Sequence, residues 1–186
     1  MTIDEFLDDA TRRMDKSVES AHHEFNTLRT GRASAALLDR IQIDYYGTKT
    51  PLKQLATINA PEPRLLTVQP FDPSSLSSIE RTIQESDLGL TPSNDGKIIR
   101  LPIPQLTEER RKELVKVARQ MAEEGRVAIR NVRRDVMHHL KELVDKGEVG
   151  SDEEHRAEER VQKLTDEHTH KIDDLLKRKE EEILEV

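Results

Sequence analysis

The stretch TEERRKELVKVARQMAEEGRVAIRNVRRDVMHHLKELVDKG, residues 107–147, decides the architecture. It contains no proline, and apolar residues recur along it at helical steps: Leu114, Val117, Met121, Ala128, Val132, Val136, Leu140 and Leu143. That period specifies an amphipathic helix rather than a strand. Thr107 is placed as its N-cap, with Glu108 and Glu109 against the positive end of the helix dipole. Gly147 marks the stop. About forty residues at 1.5 Å each make a rod of roughly 60 Å, whose single apolar stripe cannot be buried alone.

Two further stripes can cover it. Ile3, Leu7, Ala10, Met14, Val18, Ala21, Phe25 and Leu28 recur at steps of three or four near the start of the chain. Ala157, Val161, Leu164, Ile172, Leu175 and Ile183 do so near its end, after what reads as a capping box, Ser151-x-x-Glu154. Steps averaging near 3.5 residues fit bundle packing of three helices. The short polar link at 146–151 makes the second and third helices antiparallel neighbours. This periodicity separates the chain from a disordered one, although 36% of its residues are charged and 34% hydrophobic.

Residues 31–104 follow another pattern. All eight prolines lie within them, and β-branched residues replace the heptads. Ile41-Gln42-Ile43-Asp44-Tyr45 alternates as a strand, and Leu65–Val68 and Lys97–Leu101 are further strand candidates. Asn94-Asp95-Gly96 signals a turn. Asp72-Pro73 opens a short helix whose inner face is Leu76, Ile79 and Ile83. The expected organisation is a helical-bundle domain of residues 1–30 and 105–186, interrupted by a compact α+β domain of residues 31–104. The crossings fall near 30–31 and 102–105. Gly31, Pro102 and Pro104 are the hinge candidates there, because glycine frees the backbone and proline forbids a continuous helix.

The net charge of -7 argues against wholesale polyanion binding, but the charge is unevenly placed. Residues 110–134 carry nine basic and three acidic side chains, whereas 150–186 carry seven and thirteen. At 100° per residue Arg119, Arg126, Arg130 and Arg133 form one row, placed about 120° around from the apolar stripe and so facing outward. Lys112 and Lys116 extend it, and Glu123 dilutes it. Arginine grips phosphate bidentately and stacks on bases, which makes the row an RNA-binding candidate.

Enzyme chemistry finds no foothold. There is no cysteine, no P-loop and no glycine-rich dinucleotide loop. His168-x-His170 has the look of metal spacing, but residues two apart point to different sides of a helix, so both are expected on the surface and no metal site is expected. No apolar run approaches the roughly 20 residues a membrane span needs, and the acidic start lacks the pattern of a signal peptide. The chain therefore reads as a cytoplasmic protein with neither cofactor nor membrane partner.

Several blocks then resemble the ribosome recycling factor family. They are Arg29-Thr30-Gly31-Arg32-Ala33-Ser34, Asp44-Tyr45-Tyr46-Gly47 with Thr50-Pro51-Leu52 and Gln54-Leu55-Ala56, Ser86-Asp87-Leu88-Gly89-Leu90, Leu106–Arg111 and Val127–Asp135. They occur in the family's order and spacing; Ala35 stands where many members have proline. The resemblance implies an L-shaped, tRNA-like α+β molecule, an elongated three-helix bundle interrupted by a small βαβ sandwich. It implies a monomer that binds the rRNA of the large ribosomal subunit. It implies action with elongation factor G, whose GTP hydrolysis splits the post-termination ribosome, with no catalytic residues of its own. By position it gives Arg29, Arg130 and Arg133 the rRNA-contacting role, and Arg29 rests on the resemblance alone. The competing classes are a helical-bundle adaptor or chaperone-like protein without RNA affinity, and a metal-dependent enzyme using the C-terminal histidines.

Overall fold

The computed structural model describes residues 1–185 of the chain. In chain order it contains α1 (Ile3–Asn26), β1 (Gln42–Tyr45), β2 (Thr48–Pro51), α2 (Leu52–Leu55), β3 (Ala56–Glu62), β4 (Leu65–Pro70), α3 (Leu76–Glu85), β5 (Ser93–Asn94), β6 (Ile99–Pro102), α4 (Glu108–Asp145) and α5 (Ser151–Leu184). Short 3-10 turns occupy Ala35–Leu38 and Pro73–Ser75. The fold is α+β, in two compact units: Met1–Leu28 with the residues from Glu109 onward, and Arg29–Glu108.

In the bundle unit, α1 opens with a full capping box. Glu5 N–H donates to Thr2 Oγ1, and Thr2 N–H donates to Glu5 Oε2, satisfying two of the helix's orphan donors. Its buried face is Leu7, Ala10, Met14, Ala21 and Phe25, on the expected stripe. The Arg13–Asp135 ion pair and the stacked rings of Phe6 and His139 set α1 antiparallel to α4. Arg160–Asp4 and His168–Asp15 set it parallel to α5. The α4 helix ends in a Schellman motif. Gly147, at φ +70°, donates to the Val144 carbonyl, and Glu148 donates to that of Leu143.

Three expectations for the bundle are corrected. First, the N-terminal half of α4 buries Leu114, Ala118, Ala122, Gly125 and Ile129, while Val117 and Val127 are each 41% exposed. The small residues win this face because close helix approach outweighs side-chain hydrophobicity: a Cβ on Gly125 would stand 2.7 Å from Ile172 Cδ1 and 3.4 Å from Ala21 Cβ. Second, Ser151 is the first residue of α5 rather than its cap. Gly150 holds the N-cap, and no side chain caps it. Third, His168 is not on the surface. It is 3% exposed, with Nε2 2.7 Å from Asp15 Oδ1 and Nδ1 2.7 Å from the Leu164 carbonyl. Buried polar rings need such partners, and these two satisfy both nitrogens.

The other unit has two antiparallel sheets, β1–β2 and β3–β4–β6–β5. One core joins Ile43 of β1, Leu66 and Val68 of β4, Ile99 and Leu101 of β6, and Leu76, Ile79 and Ile83 of α3. Asp72 accepts from Ser74 N–H and Ser74 Oγ, capping the turn that leads into α3. At the turn before β6, Asp95 accepts from the backbone N–H of Ile98 and Lys97 and from Arg100. These bonds, Ile98's foremost, lower its pKa to about 2.

The β1–β2 hairpin closes through two residues of positive φ, Tyr46 at +50° and Gly47 at +81°, between the paired Tyr45 and Thr48. That is the type I′ arrangement, which asparagine and glycine normally supply. A bulky residue in the left-handed region costs on the order of 1–2 kcal/mol.

Candidate nucleic-acid interface

The phase shift in α4 decides where the arginines go. With Ala118, Ala122, Gly125 and Ile129 inward, the row lies along the seam with α5 rather than facing wholly outward. Arg119 pairs with Glu180 at 2.8 Å. Arg126 pairs with Asp173 at 2.8 Å and with Glu123 at 3.1 Å, and its side chain is only 22% exposed. Arg130 pairs with Glu123 at 2.6 Å. Arg133 donates to Gln162 Oε1 at 3.0 Å, and Gln162 Nε2 donates in turn to Asp166 at 2.9 Å. The α4 contacts at 119, 126 and 133 thus meet α5 contacts at 180, 173 and 162, running the opposite way.

The electrostatics follow from these pairs. Hydrogen bonds from Arg130 and then Arg126 hold the Glu123 carboxyl below its usual range. Partial burial works against the charge on Arg126, but the bonds to Asp173 and Glu123 outweigh it and keep its pKa raised. Glu123 is therefore more than a diluting charge: it bridges two of the four arginines. Arg133 stands apart, because its hydrogen bond runs to a neutral amide. Its guanidinium is held in place without a carboxylate bonded to it there.

Arg29 belongs to the other unit. It is exposed and donates to the Leu88 carbonyl at 3.2 Å, lining a shallow cleft with Gly31 and Leu106. Gly31 has φ +79°, and a Cβ there would lie 3.2 Å from Leu106 Cγ. Pro102 is the last residue of β6, paired with Leu65, and Ile103 N–H bonds the Arg64 carbonyl. Pro104 follows outside the sheet. Among the described residues no group of three or more His, Cys, Asp or Glu is arranged to hold a metal ion, and no helix is long and apolar enough to cross a membrane.

These features define the class: an α+β protein, a three-helix bundle with an inserted sheet unit and an arginine-lined helical seam. Comparison with known proteins agrees and is more specific. The ribosome recycling factor family profile matches residues 21–184. The ribosome-recycling factor of Rubrobacter xylanophilus is 59% identical over 180 residues, covering 97% of each chain. That of Thermosynechococcus vestitus is 56% identical, covering 97% of this chain and 99% of its own. A solution structure of a ribosome recycling factor superposes with a TM-score of 0.77 at 42% identity, covering 100% of this chain and 99% of the other. The T. thermophilus factor, described with the E. coli elongation factor G bound to the E. coli post-termination complex, gives 0.68 at 50% identity, with 99% and 100% covered. The chain belongs to the ribosome recycling factor family.

Proposed function

We propose that this chain binds the post-termination ribosome on its large subunit. With elongation factor G and the energy of GTP hydrolysis it promotes separation of the subunits and release of mRNA and tRNA. The observation that carries the reading is similarity over nearly the whole of both chains to ribosome-recycling factors. The chain is a binding factor without catalytic residues of its own, needs no cofactor, and works in the cytoplasm as a monomer. Arg133 and Arg130, with Arg119, Arg126 and Arg29, contact rRNA phosphate. For the four on α4, what supports this is guanidinium density on one seam and the chemistry of arginine with phosphate; Arg29 rests on the family resemblance. The bundle domain of residues 1–30 and 105–186 and the domain of residues 31–104 move about the crossings marked by Gly31 and by Pro102 and Pro104.

The test is cosedimentation with 70S ribosomes and isolated large subunits across a salt series, beside an assay of subunit splitting with elongation factor G and GTP. Binding to large subunits weakens steeply as salt rises, because arginine–phosphate contacts release counterions. Binding that ignores a several-fold change in salt, or no GTP-dependent splitting, refutes the reading.

A further inference from the structure

Within the sheet unit, the large apolar side chains found exposed among the described residues are Tyr46, at 83%, and Phe71, at 66%. They stand on segments that are tied together. The Tyr45 hydroxyl donates to Asp72 Oδ2 at 3.0 Å, tying the hairpin to the residue after Phe71. The Tyr45 and Tyr46 rings meet edge to face, with centroids 4.6 Å apart. Phe71 N–H is itself bonded to the Leu55 carbonyl at 2.9 Å. Tyr46 therefore projects into solvent from a braced position.

The backbone makes this exposure harder to dismiss. Tyr46 occupies the first central position of a type I′ turn at φ +50°, where asparagine would fold with less strain. A residue kept in an unfavourable conformation while burying little is a candidate for function. Braced, exposed tyrosines are the side chains that anchor protein interfaces. The surrounding charge points away from RNA: residues 42–51 carry one acid, Asp44, and one base, Lys49, directly opposite each other across the hairpin. No arginine stands within the hairpin to grip phosphate.

We infer that Tyr46 is an aromatic anchor, braced by Tyr45, whose hydroxyl Asp72 holds, that inserts into an apolar pocket on a protein partner. The inference rests on the function proposed above, in which that partner is elongation factor G. The ring supplies buried area, and the turn supplies rigidity, so little conformational freedom is lost on docking.

Tyr46→Asn is the discriminating variant, because it removes the ring while giving the turn its preferred residue. The melting temperature is expected to hold or rise, and cosedimentation with ribosomes alone to stay at the wild-type level. Splitting at limiting elongation factor G is expected to fall about ten- to thirty-fold and to recover as that factor's concentration is raised. Tyr46→Phe keeps the ring and is expected to stay within about two-fold of wild type. Unchanged splitting by Tyr46→Asn overturns the anchor. So does an equal loss of ribosome cosedimentation, which would make the ring a ribosome contact. If the wild-type chain itself neither cosediments nor splits ribosomes, the underlying function fails instead, and the two results are told apart in the same experiment.

Discussion

The Arg133 guanidinium donates to the side-chain oxygen of Gln162 at 3.0 Å, across the seam between α4 and α5. Arg119 and Arg126 face α5 carboxylates at the corresponding place, and Arg130 pairs with Glu123 on its own helix. An incoming phosphate must displace or share a carboxylate at those three. At Arg133 it meets a guanidinium already oriented by a neutral group.

Arg133→Ala is accordingly expected to weaken ribosome binding most. Loss of one bidentate contact costs about 1–3 kcal/mol, or roughly 5- to 150-fold in affinity. The side chain lies off the apolar core, so the melting temperature should hardly move. Lysine at 133 should restore part of the binding, since it supplies charge without the planar fork. Arg178→Ala, on the exposed acidic side of α5, serves as the control. Cosedimentation beside a thermal melt reads both quantities. A well-folded Arg133→Ala protein that binds normally removes the residue from the interface.

Glu123→Gln is expected to act in the opposite direction. It removes the carboxylate that holds both Arg126 and Arg130, leaving both guanidinia more available to phosphate. Large-subunit affinity should rise a few-fold at moderate salt, the modest scale expected of exposed charge pairs. Weaker binding would mean that Glu123 positions the arginines rather than competing for them.

Gly125→Ala tests the packing of the bundle. The added methyl would press on Ile172 Cδ1; overpacking of this kind costs about 1–3 kcal/mol, against about 1 kcal/mol gained by replacing a mid-helix glycine, so a net loss of up to about 2 kcal/mol is expected. Chemical denaturation should show the loss. Ile172→Val, which deletes the offending methyl, should recover part of it in the double variant. A single variant more stable than wild type by the full helix-propensity gain would show that the helices can part there without cost.

Asp95 gives the pH dependence. Its carboxyl is held near a pKa of about 2 by the Ile98 and Lys97 amides and by Arg100. For a depressed carboxylate the stabilisation is fully present above the ordinary value near 4. It is lost as pH falls through the folded value near 2. Following the side-chain carboxyl by NMR through an acid titration should give a midpoint well below 3. A midpoint near 4 would show that the turn does not hold these bonds in solution.

How far the sequence carried the structure differs by element. The stripe of α1 is legible residue by residue, because Leu7, Met14 and Phe25 fix its phase and Ala10 and Ala21 fall in step with them. In α4 the inward positions are Ala118, Ala122 and Gly125, so counting hydrophobic residues followed Val117 and Met121 onto the wrong phase. That phase turns the arginine row outward. His168 left a trace that could have been read: the stripe of α5 has a gap between Leu164 and Ile172, which Thr165 and His168 fill. Gln162, Asp173 and Glu180 were legible in principle too, since a short link between antiparallel helices sets which residues face each other. In the sheet unit β1, β4 and β6 showed themselves by their apolar alternation. The exposed β2 and β3 and the two-residue β5 had no such pattern. Tyr46 was hidden for a different reason: nothing in local composition says that a tyrosine will take the left-handed place in a turn.

The pairing of α1 with α5 also orders events during synthesis. Asp15 meets His168, 153 residues later in the chain, so the side of α1 that faces α5 stays uncovered until α5 has been made. The residues from Arg29 to Glu108 close their own core without help from either end. At about 5–20 residues per second, the 60 residues from 109 to 168 take roughly 3–12 s to add. The newborn chain therefore spends seconds as a finished sheet unit tethered to an unpaired amphipathic helix. That interval, more than the stability of the completed bundle, is when the chain is most open to chaperones and to aggregation.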